Sequence, residues 1–271
     1  MTGTATLTVT QQRELIDSVH AFRQWLAEAL SDGMLEHYDH FTCISPTQED
    51  WIMRVNIDTR IVQFNPEVTA RCSLAYFEMI VIHECFHLFA QRLPNKAEAR
   101  MIKASFGNHM MKVLDIEADF YTALYLRDVK DASLIDVLAH HSEGSRVFGD
   151  PRILNWKFER FIGSILSICN AFLTSSRLRQ PAATDLFIPT LDGVHTEDRI
   201  FVVRFRGSHC SLVEVAASYQ DFVNLKRAYT NKDKLAPREY VSLVLGFASA
   251  ALGLKVPAEV ELELLALPSE A

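Results

Sequence analysis

Apolar residues recur at three- and four-residue intervals through most of the first 175 positions of this chain, the period of helices that bury one face. Over residues 11 to 30 the set Leu15, Ile16, Val19, Phe22, Trp25, Leu26 and Leu30 predicts an amphipathic helix that Ser31-Asp32-Gly33 ends. Residues 95 to 126 carry the pattern on through Met101, Phe106, Met110, Val113, Leu114, Phe120, Tyr121 and Leu124, with Gly107 as a kink or a division into two helices. A short helix is expected over 132 to 141, where His140-His141 reads as a C-terminal charge feature. A longer one over 154 to 173 shows Trp156, Phe161, Ile165 and Phe172 on its apolar side.

The period changes in two places. Residues 51 to 66 are rich in β-branched and aromatic side chains with partial alternation, broken at Asp58-Thr59 and closed by Asn65-Pro66, which predicts a β-hairpin. Beyond the polar run 174 to 181, residues 200 to 205 and 211 to 215 predict two more strands, and helices follow near 219 to 227 and 237 to 252. The expected fold is therefore α+β and mainly helical. One domain is expected over 1-175 and a C-terminal α/β extension over 176-271, serving as a recognition or sensor module or as a lid on the core.

Residues 76 to 90 read Y-F-E-M-I-V-I-H-E-C-F-H-L-F-A, and inside this apolar run His83, Glu84 and His87 form H-E-x-x-H, the two-histidine zinc signature of metalloproteases. On a helix, residues four apart share a face at roughly 6 Å, so both imidazoles can address one metal ion. Glu84, about 100° further round, can reach a water held by that ion. The helical neighbours of His83 are Tyr76, Met79, Ile80, Phe86 and Ala90. Polar groups on such a surface need partners, and a cation satisfies all three together. A His pair satisfied within the core is the alternative. Cys85 is about 200° round from His83 and is expected to pack as a small hydrophobe.

Composition narrows the setting. The 271 residues are 49% hydrophobic, which is globular composition, and the net charge of −7 speaks against a basic nucleic-acid-binding surface. The N-terminus is polar, without the basic and apolar regions of a secretory signal. The longest apolar candidate, 243 to 254, is about 12 residues where a bilayer needs roughly 20. Five scattered cysteines without C-x-x-C spacing read as free thiols. A cytoplasmic protein that binds neither nucleic acid nor membrane is expected. His37 and His40 read as an exposed polar turn, since no third ligand accompanies them.

A catalytic zinc has three protein ligands and an open position, which calls for one carboxylate beyond the two histidines. Over residues 61 to 126 the chain resembles the ImmA/IrrE zinc metallopeptidases of bacteria and their phages. The resemblance is carried by Val62-Gln63-Phe64-Asn65-Pro66, by His83, Glu84 and His87, and by Glu117-Ala118-Asp119 with Tyr121, Ala123 and Leu126. It implies a zincin-like core with a small sheet beside the active-site helix, Zn2+ as cofactor, and Glu117 as the third ligand. It also implies an intracellular endopeptidase of narrow specificity acting on a protein partner such as a transcriptional regulator, in stress response or mobile-element control. The chain departs from the family at Phe86, where glycine is usual, and at Leu126-Arg127-Asp128 in place of Leu-Met-Pro.

Helical arithmetic also favours Glu117, whose neighbours Met110, Val113, Leu114, Phe120, Tyr121 and Leu124 make it a lone charge in an apolar stripe. Asp115 and Asp119 fall on the side that carries Asn108, Lys112 and Thr122, which reads as solvated, with Asp119 available to accept from a ligand histidine. In the leading expectation Glu84 is the general base of peptide hydrolysis. A zinc-containing regulatory or scaffold protein without turnover is the alternative, motivated by Phe86. Oligomeric state is not legible.

Overall fold

The computed structural model describes residues 9–29, 41–43, 53–56, 61–65, 72–89, 110–147, 158–173, 185–189, 200–206, 209–215, 217–231 and 234–269. Helix α1 (Val9–Ala29) buries Leu15, Val19, Phe22 and Leu26, the four- and three-residue spacing that puts one stripe against the core. Strands β1 (Phe41–Cys43), β2 (Met53–Asn56) and β3 (Ile61–Phe64) form a sheet in the order β1-β3-β2. The expected hairpin is present, β2 pairing antiparallel with β3 in the register Met53 to Phe64 and Val55 to Val62. Strand β1, which pairs parallel to β3, was not foreseen. Within this sheet β2 lies at the side, and it packs beside the next helix.

That helix, α2 (Leu74–Phe89), is apolar nearly all round, burying Tyr76, Phe77, Val81, Ile82, Cys85 and Phe86, as expected of a helix enclosed by others. Its start is secured twice. The Ser73 hydroxyl accepts the Tyr76 N–H at 3.2 Å, and Glu143 accepts both the N–H and the hydroxyl of Ser73. Helix α3 (Met110–Asp128) packs on α2 through Phe86, whose ring stacks on Tyr121 at 4.8 Å. It packs on α1 through Tyr125, set edge-on to Phe22 and Trp25. The pattern over 95 to 109, with Gly107 and His109, lies outside the described residues, as do His37 and His40.

Helix α4 (Leu134–Val147) runs past the expected end at 141, which corrects the reading of His140-His141. His141 lies within the helix and is buried. Its ring nitrogens face Ser164 Oγ at 3.0 Å and Tyr240 Oη at 3.4 Å. Helix α5 (Phe158–Leu173) packs along α3 with Phe161, Ile165, Leu166 and Cys169 fully buried.

A second sheet follows, β4 (Asp185–Pro189), β5 (Ile200–Arg206) and β6 (His209–Val215), antiparallel throughout and in sequence order. The expected pair of strands is β5 and β6, and β4 is an addition. Helix α6 (Tyr219–Thr230) opens on a capping box between Ser218 and Asp221. Helix α7 (Pro237–Leu252) begins with proline and ends on Gly253 at φ 64°, where a left-handed backbone favours glycine. A short α8 (Ala258–Ala266) rests on α4 and α7, and Arg238 donates to the carbonyls of Leu265 and Leu267 at its end.

Buried residues from both sides of position 175 join one cluster, with Phe158 5.4 Å from Phe222 and Phe161 5.2 Å from Tyr229. The described residues are mainly helical with two small sheets. Among the described residues no helix is long and apolar enough to cross a membrane.

Candidate metal centre

Two helical turns face each other in a partly buried place. On α2, His83 and His87 are one turn apart, with their Nε2 atoms 3.2 Å from each other. On α3, Asp115 and Asp119 are also one turn apart. His83 Nδ1 lies 2.8 Å from Asp119 Oδ1, and His87 Nε2 lies 3.3 Å from Asp115 Oδ1. The higher-numbered histidine meets the lower-numbered aspartate, so α3 returns antiparallel past the motif, as the third-ligand argument requires.

The donor spacing can be tested against a metal. One ligand atom each from His83, His87 and Asp115 lies within 4.8 Å of the others. Zinc bonds of about 2.0–2.1 Å in a tetrahedron place neighbouring ligand atoms about 3.3–3.4 Å apart, and the two short spacings here are 3.2 and 3.3 Å. The tautomer agrees. With Nδ1–H of His83 donating to Asp119, its Nε2 lone pair points into the group, the arrangement of a histidine ligand held by an outer carboxylate. The residues present could hold a metal ion.

Charge fits as well. Arg160, buried on α5, donates through Nη1 to Asp119 Oδ2 and through Nη2 to the Asp115 carbonyl at 3.3 Å, with Nε 3.6 Å from Asp115 Oδ2. Burial opposes ionisation of Asp119, yet the Arg160 charge and His83 hold its pKa far below the usual carboxylate range. Asp115 is likewise lowered, burial being outweighed by the His87 hydrogen bond and Arg160. Burial works against the imidazolium of His83, but Asp119, by charge and hydrogen bond, raises its pKa. Glu84 is raised, because burial outweighs the two histidines and the N–H that Val55 of β2 donates to it. Against the carboxylates of Glu84, Asp115 and Asp119, Arg160 supplies one positive charge and a divalent cation would supply the other two.

Among the described residues, the group that could hold a metal contains Asp115, and Glu117, expected as the third ligand, is not in it. Glu117 sits between the two aspartates on α3, about 200° round from each, and so on another face. Apolar neighbours do not single out one face of α3, because the helix is enclosed on several sides: Ile116, Ala118 and every residue from Phe120 to Leu126 are buried. The side expected to be solvated is polar because it meets the histidines and Arg160. A signal was available in the sequence, Asp115-x-x-x-Asp119 repeating the four-residue spacing of His83 and His87. Arg160 carried no such signal. Asp119 stands at the outer nitrogen of His83, and Cys85 is fully buried.

Comparisons of the chain with protein-family models, with curated proteins and with solved structures find no match.

Proposed function

We propose that this chain is a zinc-dependent endopeptidase, with His83, His87 and Asp115 holding the metal and Glu84 as general base. The observation that carries this reading is the convergence of His83, His87 and Asp115, whose ligand atoms lie within 4.8 Å of one another with two of the spacings, 3.2 and 3.3 Å, close to tetrahedral edges of a zinc site. A zinc ion there supplies Lewis acidity toward a water and a carbonyl oxygen. Glu84, one residue from His83 and within the field of both histidines, takes the proton of the attacking water and delivers it to the leaving amine. Burial raises its pKa, which makes it a stronger proton acceptor than an exposed carboxylate. Asp119 fixes the ring of His83, and Arg160 fixes Asp119. Strand β2, whose Val55 N–H already faces the site, offers its backbone to an extended segment of a substrate protein.

Narrow specificity, a regulatory protein as substrate and a cytoplasmic setting follow from the resemblance of residues 61 to 126 to the ImmA/IrrE peptidases. One observation favours a zinc centre without turnover. The carboxylate of Glu84 is engaged by Val55, so it can serve to brace α2 against β2. Glu84→Gln separates the two. Co-expressed with candidate partner proteins, the parent should yield fragments in mass spectrometry that Glu84→Gln, still folded and zinc-loaded, does not. Identical fragment sets from both would refute the catalytic reading.

A further inference from the structure

We propose that Arg160 is a built-in counter-ion that keeps the metal centre assembled when no metal is bound, and that it thereby moderates the affinity of the centre for dications. This rests on the metal reading of the site. The guanidinium spans one turn of α3, meeting Oδ2 of both Asp115 and Asp119 and the Asp115 carbonyl. The Oδ1 atoms are left on the side of the histidines, Asp115 Oδ1 at His87 and Asp119 Oδ1 at His83. Arg160 is 6% exposed and comes from α5, 41 residues beyond Asp119. A planar fork is the side chain suited to holding two carboxylates at once.

Two aspartates a turn apart, with Glu84 nearby, repel one another in this partly buried place unless a cation lies among them. Arg160 provides that cation permanently from the far side. A dication entering from the histidine side therefore finds the carboxylates in position and partly neutralised. It gains less from them than it would if they were waiting uncompensated.

The test compares metal-free and zinc-loaded melting temperatures of the full chain for the parent, Arg160→Met and Arg160→Gln. Arg160→Met should melt lower without zinc, and its zinc-induced rise should be roughly double that of the parent at equal zinc, because the ion now also relieves the repulsion. Folding of Arg160→Met only when zinc is supplied would be the extreme form of the same result. A lower melting temperature with an unchanged or smaller zinc-induced rise would show an ordinary packing role and overturn the proposal. If Arg160→Met folds under neither condition, Arg160→Gln, which removes the charge but keeps a polar side chain, decides: a zinc-induced rise above the parent's supports the counter-ion, and one equal or smaller refutes it. Absence of any zinc effect in the parent would remove the metal reading, and this proposal with it.

Discussion

Asp115 and Glu117 are separated by one residue, and the rotation of α3 decides which of them a metal can use. The histidine pair was legible because it needs only a local helix. The third ligand was not, because the rotation of α3 is set by packing against α1, α2 and α5 and by an arginine far along the chain. Asp115→Asn should weaken zinc binding by at least the roughly 10–100-fold typical of losing an outer partner, while Glu117→Gln changes it little. Competition against a chromogenic chelator reads both, and the reverse order would restore Glu117 as the ligand. Metal-free protein should also show the charge of His83. Its folded pKa is raised, so it contributes stability that is fully present below the unfolded value of about 6.5 and is lost as pH rises through the folded value. The melting temperature should fall from about pH 6.5 upward, and Asp119→Asn should remove that slope. A flat or rising curve in the parent would contradict the pairing. Zinc occupies the place of that proton, so the zinc-induced rise should grow with pH.

Among the elements, Phe86 shows how a departure from a motif acquires a structural reason. The side chain is 2% exposed and stacks from α2 onto Tyr121 of α3, with the His87 ring edge-on 6.4 Å away, so its bulk joins the two helices that carry the ligands. Phe86→Ala should destabilise the fold by about 3–5 kcal/mol in denaturant titration, and a loss under about 1 kcal/mol would mean that the two helices do not depend on this contact. Long amphipathic helices such as α1, α5 and α7 were legible because each buries one repeating stripe. Strand β1 has three residues, too few for a period to show, and pairs with a strand about twenty positions away. Helix α8 buries no residue fully, so its sequence carries no core stripe to read. Helix α4 continues past His141 because that imidazole faces partners on α5 and α7, which no local pattern announces.

Across the whole molecule, the site stands where α2 and α3 cross, with α5 behind it and β2 beside it. Each wall is held from further out. Glu143 on α4 secures the start of α2, Arg160 on α5 secures the aspartates, and His141 on α4 meets Ser164 of α5 and Tyr240 of α7. Residues beyond 175 therefore support the centre indirectly, an arrangement that composition alone did not reveal. Everything functional depends on the chain holding a metal at His83, His87 and Asp115. Calorimetric titration of zinc into purified metal-free protein tests this directly. One zinc per chain is expected to bind, with a gain of about 2.7 kcal/mol in unfolding free energy at a hundredfold excess over Kd, and with both effects abolished in a His83→Ala, His87→Ala double variant. A parent protein that takes up no stoichiometric zinc and melts at the same temperature with and without it would contradict the assignment.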